Sequence, residues 1–100
     1  MHGITIFYDY DGEEAAWEQA TSNFIAAIDQ DPELAGRLHY RVNRAREGGR
    51  RVHWGWWDDP EIVPILQSRD YFKEFTARVR EMAGRTLTTI PLTRRGQTAA

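Results

Sequence analysis

Apolar and polar residues alternate through residues 4–10, 38–46, 50–57 and 86–92. This period of two predicts four strands. Trp17, Ala20, Phe24 and Ile28 recur at helical spacing after the first strand, and Phe72, Phe75, Val79 and Met82 do so before the last. Each set makes one apolar stripe on a helix. Asp11, with Glu14 three residues on, has the capping-box pattern for the first helix. Asp31-Pro32 ends that helix and Gly36 marks the turn out. Glu47-Gly48-Gly49 reads as a hairpin turn joining strands two and three. Asp59 caps a short helical stretch with Pro60 in its first position and Pro64 close behind, and Gly84 closes the longer helix.

The order is therefore βαββαβ. Right-handed crossovers turn it into an α+β, ferredoxin-like domain: a four-stranded antiparallel sheet with the helices on one face. In this reading strand one lies beside strand three, running parallel to it, and strand two pairs with strand three through the hairpin. Residues 1–92 make a single domain and 93–100 a polar tail that frays.

Alternation also sorts side chains between the sheet's two faces. One set holds Ile4, Ile6 and Tyr8, Leu38, Tyr40 and Val42, and Val52, Trp54 and Trp56; it is strongly apolar and is expected under the helices. The other holds Thr5, Phe7 and Asp9, His39, Arg41 and Asn43, and His53, Gly55 and Trp57. If Arg46 opposes Arg50 in the hairpin, then Asn43 opposes His53, Arg41 opposes Gly55 and His39 opposes Trp57. A parallel first strand adds Phe7 near Gly55 and Asp9 near Trp57. Gly55 then leaves a hollow walled by aromatics with a few polar groups around it, which suits a small organic ligand. Large aromatics on both faces of strand three require cover on both faces, and a second copy of the chain is the expected cover for the face without helices.

Composition narrows the function classes. The chain has 100 residues and a formal net charge of -2, so nothing pulls it toward phosphate backbones or anionic membranes. RNA-recognition domains share the βαββαβ order, and residues 51–57 loosely echo their aromatic strand, but Asp9 and Asp11 oppose that use. No nucleic acid and no membrane is expected as a partner. There are no cysteines, which excludes thiolate chemistry and cysteine metal sites. Residues 4–7 are too short for a signal-peptide core, so a cytoplasmic location is expected.

Two stretches carry a resemblance: Gly55-Trp56-Trp57 closing strand three, and Gln67-Ser68-Arg69-Asp70-Tyr71-Phe72-Lys73-Glu74-Phe75 opening the longer helix. With this spacing, residues 4–92 resemble the dimeric α/β-barrel superfamily, and within it the small antibiotic-biosynthesis-monooxygenase-like proteins. The resemblance implies a homodimer whose sheets face each other, a small-molecule cavity between sheet and helices in each subunit, and no tightly held cofactor. It implies one of several activities: cofactor-free oxygenation, haem degradation, polyketide cyclisation or lactone isomerisation. Trp57 matches the family's tryptophan at the end of strand three. Thr76 stands where the haem-degrading and oxygenating branches place a histidine. Tyr8, Asp9 and Tyr10 occupy the region of their strand-one asparagine.

The candidate residues follow. Asp9, partly desolvated at a strand end, is an acid/base candidate, with a solvated carboxylate near the first helix's dipole as the plainer alternative. His39 and His53 suit proton transfer near neutral pH. Arg41 offers a planar fork for an oxyanion, or a salt bridge. Trp57, Phe7, Gly55, Tyr8 and Thr76 are expected to contact the substrate, Trp57 having a dimer interface as its other reading. No tight spacing unites Asp9, His39 and His53, so no metal is expected. The function expected is cofactor-independent, monooxygenase-like chemistry on a planar aromatic or enolisable substrate. The alternatives are a cyclase or isomerase, or a non-catalytic dimeric binding protein.

Overall fold

A computed structural model describes residues 1–99; Ala100, the last residue of the expected tail, lies outside the described residues. The elements are β1 (His2–Asp9), α1 (Glu14–Asp29), β2 (His39–Arg44), β3 (Arg50–Trp57), α2 (Ile62–Gln67), α3 (Asp70–Ala83) and β4 (Thr88–Thr93), with a single 3-10 turn at Gly84–Thr86. The strands form one antiparallel sheet in the order β2-β3-β1-β4. The core lies between one face of that sheet and the helices, where Trp17, Phe24 and Ile28 of α1 meet Phe75, Val79 and Ala83 of α3. No described helix is long and apolar enough to cross a membrane. This is the α+β ferredoxin-like arrangement that the strand and helix order implied.

Three expectations about strand geometry are corrected. First, β1 and β3 run antiparallel, with His2 opposite Trp57 and Asp9 opposite Arg50. Helix α1 carries the chain back to the end of the sheet where β1 began, so β2 shares the direction of β1, and the hairpin then reverses β3. Second, Ala45 donates its N–H to the Arg50 carbonyl at 2.9 Å, so the loop between them is one residue longer than a three-residue turn allows. Third, the sum of paired positions therefore shifts by one: Val42 opposes His53, Tyr40 opposes Gly55, Arg41 opposes Trp54 and His39 opposes Trp56. A one-residue slip turns every side chain of a strand over. Arg51, His53, Gly55 and Trp57 thus face the helices, while Val52, Trp54 and Trp56 face away. Strands β1 and β2 keep the expected faces, with Ile4, Ile6, Tyr8, Tyr40 and Val42 inward.

The inward Arg51 is only 2% exposed. Its guanidinium meets both Glu14 oxygens at 2.8 Å and lies 4.5 Å from the centre of the Trp17 ring. This explains why Asp11 caps nothing: α1 starts at Glu14, and Glu14 is held by Arg51 and Arg44 rather than by the backbone of a capping box.

The loop ahead of β3 is fixed by backbone contact. Tyr10 donates its N–H to the Gly49 carbonyl at 3.0 Å, and a Cβ on Gly49 would stand 2.6 Å from the Tyr10 carbonyl oxygen. Backbone must move to relieve that clash. Gly49→Ala is expected to lower stability by about 1–3 kcal/mol, read from urea denaturation.

At the other end of α1, Asp31 is buried and accepts hydrogen bonds from Arg69, Tyr71 and the Glu33 N–H. The Arg69 guanidinium leads in holding its carboxyl down at about 2, against 3.8 ordinarily. A carboxyl depressed on folding stabilises fully above its unfolded value and loses that contribution as pH falls through its folded value. The stability difference between the wild type and Asp31→Asn should therefore be largest above pH 3.8 and shrink toward pH 2, as denaturation at a series of pH values will show.

Candidate functional site

Helices α2 and α3 leave a gap over the middle of the sheet. The gap is a cavity of about 270 Å³, near the lower end of the range typical of ligand pockets. Its floor comes from Ile4 and Ile6 of β1 and from Tyr40, His53, Gly55 and Trp57 of the two neighbouring strands. Its roof comes from Ile62, Val63 and Leu66 of α2 and from Phe72, Phe75, Thr76 and Val79 of α3. Gln67 and Arg80 also line it, and both are exposed. Gly55 keeps the floor open: a Cβ there would press within 3.3 Å of the Ile4 and Tyr40 side chains. Apart from Gln67, Arg80, Thr76, Thr89, Tyr40 and His53, the lining is apolar, and no carboxylate belongs to it.

One polar cluster interrupts this wall. His53 is 0% exposed. Its Nε2 lies 2.8 Å from the Tyr8 hydroxyl and its Nδ1 lies 2.8 Å from the Tyr40 hydroxyl. Trp17 donates its indole N–H to the Tyr8 oxygen at 2.8 Å. Burial disfavours the imidazolium and pushes His53 down to about 4. Burial likewise raises the Tyr8 and Tyr40 hydroxyls above their ordinary value, so both remain neutral phenols near neutral pH. Phe75 stacks on His53 with ring centres 5.8 Å apart and on Phe24 at 3.9 Å, closing the cluster from above.

The structure brings together only some of the residues singled out from the sequence. His53, Gly55, Trp57 and Thr76 line the cavity, and Tyr8 stands behind His53. Thr76 donates its hydroxyl hydrogen to the Lys73 carbonyl at 3.0 Å, within its own helix. Asp9 lies elsewhere, at the far end of β1, exposed and paired with Arg50 at 2.8 Å. Phe7 faces away from the helices under the Arg50 guanidinium. His39 and Arg41 also lie on that outer face, His39 stacked on Trp56 and Arg41 over the same ring. The hollow expected on the outer face is thus replaced by a cavity on the inner one, because the register shift carries Gly55 and Trp57 through the sheet. The sequence marks Tyr8 and Tyr40 as inward tyrosines, either able to donate to an enolate-like oxygen, but reading it missed their link through His53 and the roof residues of α2. A signal for the first was available: two tyrosines on the inner faces of the strands that flank β3 need a polar side chain between them.

No protein-family model and no curated protein matches the chain. Solved structures do match its shape. SnoaB, a cofactor-independent oxygenase from Streptomyces nogalater, superposes with a TM-score of 0.77 at 15% identity, covering 99% of this chain and 97% of that one. Rv0793 from Mycobacterium tuberculosis superposes at 0.78 and 11% identity, over 98% of each chain. A protein described as an antibiotic biosynthesis monooxygenase superposes at 0.75 and 12% identity, over 96% of this chain and all of its own. The chain therefore has the fold of the antibiotic-biosynthesis-monooxygenase-like proteins. Identity this low carries the fold and leaves the chemistry to the site.

Proposed function

We propose that this protein binds a planar aromatic or enolisable small molecule in the cavity between sheet and helices and oxidises it with dioxygen, without a tightly held cofactor. The observation that carries this reading is the cavity itself: an apolar slot with aromatic walls and one polar cluster, His53 with Tyr40, set into its floor. Flat walls such as Trp57, Phe72 and Phe75 hold a ring by stacking and exclude water. An activated CH2 beside a carbonyl is the natural reacting group. Its oxidation by dioxygen turns CH2 into C=O, placing one oxygen atom in the product and releasing the other as water. The fold is shared with a cofactor-independent oxygenase, which is consistent with such chemistry.

Aerobic turnover of dithranol, an anthrone, tests the proposal. The protein should accelerate anthraquinone formation well above the rate in buffer. Trp57→Ala should slow it by roughly ten-fold or more, the loss of about 1.4 kcal/mol of ring contact. Asp9→Asn, at the opposite end of the sheet, should keep the wild-type rate. No acceleration over buffer, or an undiminished rate in Trp57→Ala, overturns the oxygenase reading. The second reading, a non-catalytic binding protein, is favoured by one observation: both His53 nitrogens are already engaged and no carboxylate lines the cavity. Ligand binding without product formation would establish it.

We also infer that the outer face of the sheet is covered by a second copy of the chain in the cytoplasm. Trp54 is 49% exposed there, and Ile90 and Leu92 are exposed beside it on the edge strand β4. An apolar sheet face of this kind marks an interaction surface, and arginines interleaved with its rings suit a self-complementary contact. Sedimentation at micromolar concentration should give twice 11.6 kDa, and Trp54→Glu should give the monomer. A wild-type monomer removes the dimer.

A further inference from the structure

We propose that Tyr40 is a dedicated hydrogen-bond donor to a ligand oxygen in the cavity, and that Trp17, Tyr8 and His53 form a relay that holds it in that role. The inference rests on the proposed use of this cavity and specifies the ligand's chemistry: a ketone or enolate oxygen on the ring edge that faces β2.

The direction of each hydrogen bond in the chain follows from counting hydrogens. Neutral imidazole has one N–H and one lone pair. One of the two tyrosines must therefore donate to His53 and the other must accept from it. The Tyr8 oxygen already accepts the Trp17 indole N–H. If His53 carried its hydrogen on Nε2, the Tyr8 oxygen would accept a second N–H, and its own hydrogen would have no acceptor among the described residues. Tyr8 is 1% exposed, so that hydrogen would be buried and unmade. An unsatisfied buried donor disfavours a state by roughly ten-fold or more. The other tautomer pairs every hydrogen of Tyr8 and His53 and leaves unpaired only a hydrogen at the cavity wall. Tyr8 donates its O–H to Nε2, and Nδ1–H donates to the Tyr40 oxygen. The Tyr40 hydrogen is then the one left over, and Tyr40 lines the cavity.

The consequence is directional. Tyr40 cannot turn its hydrogen inward, because His53 presents a donor there. Its hydroxyl is aimed outward by three side chains from α1, β1 and β3, of which Trp17 and Tyr8 do not line the cavity. It carries no positive charge, and burial keeps it protonated. Such a group is suited to a neutral carbonyl in the ground state. It becomes a stronger partner as negative charge builds on that oxygen during enolisation. Tyr8, Trp17 and His53 are positioning residues in this scheme, and Tyr40 is the one that meets the ligand.

Two measurements test it. Long-range proton–nitrogen NMR of the wild-type protein, with His53 assigned through its contacts to the Tyr8 and Tyr40 rings, should show a neutral ring protonated at Nδ1. A ring protonated at Nε2 overturns the proposal without any variant being made. Equilibrium dialysis should then compare fluorenone with fluorene, which share a flat skeleton and differ in the ketone oxygen. Tyr40→Phe should lower the ratio of fluorenone to fluorene affinity by about five- to ten-fold, one net hydrogen bond, while fluorene binds as before. An unchanged ratio, or no binding of either compound by the wild type, overturns it. Fluorenone preference without dithranol oxidation would leave this assignment standing and sink the oxygenase reading. Dithranol oxidation with an unmoved ratio would do the reverse.

Discussion

Phe75→Ala is expected to cost roughly 3–5 kcal/mol of stability, the usual range for truncating a buried phenylalanine. Phe75 is buried at the point where helix α3 crosses the sheet. Its ring stacks on Phe24 at 3.9 Å, meets Tyr40 edge-on at 6.2 Å and lies over His53 at 5.8 Å. Truncation removes three ring contacts at once and enlarges a cavity that already exists, so the surrounding side chains have little means of closing the gap. The effect should appear as a lower midpoint with an unchanged slope in urea. Phe75→Leu keeps most of the volume and should lose far less. A loss below about 1 kcal/mol in the alanine variant would mean that α3 does not pack on the sheet as described.

The second large effect is the response to acid. His53 titrates near 6.5 when unfolded and is pushed down to about 4 by burial in the folded protein. Between those values the unfolded chain binds a proton that the folded one does not, so stability rises with pH across that window. The contribution is complete above pH 6.5, declines as the solution is acidified and is gone below pH 4. Its size is on the order of 3 kcal/mol. Denaturation midpoints should fall steadily through this window, and His53→Gln should remove most of that slope while being less stable at neutral pH. A wild-type midpoint that is flat from pH 6.5 to 4 would place His53 in contact with water, contrary to its position under the helices.

Much of the fold was legible in the sequence for a physical reason: β1 and β2 alternate cleanly, and their inward residues Ile4, Ile6, Tyr8, Tyr40 and Val42 are the apolar ones. Strand β3 broke the rule. Trp54 and Trp56 look like core and lie outside, while Arg51 and His53 look like surface and lie inside. Nothing local signals that reversal. The groups that make burial tolerable come from other elements: Glu14 and Trp17 from α1 for the arginine, Tyr8 from β1 and Tyr40 from β2 for the histidine. A loop one residue longer than expected then sets the register, and the candidate site changes faces with it. Phe7, His39 and Arg41 left the site for this reason, and Asp9 also because the antiparallel β1 sets it opposite Arg50. The same register puts Gly55 and Trp57 in the inner cavity. The expected parallel pairing of β1 with β3 erred separately, in following the chain direction through the helix.

The proposed ligand site lies between the sheet and the helices, with Tyr40 and His53 in its floor. A crystal structure with fluorenone tests it most directly. The flat ring should lie between Trp57 and the α3 aromatics, with the ketone oxygen within hydrogen-bond distance of the Tyr40 hydroxyl. A ring lodged instead on the outer face against Trp54 and Trp56, with the inner cavity free of it, would place the ligand site on the other side of the sheet.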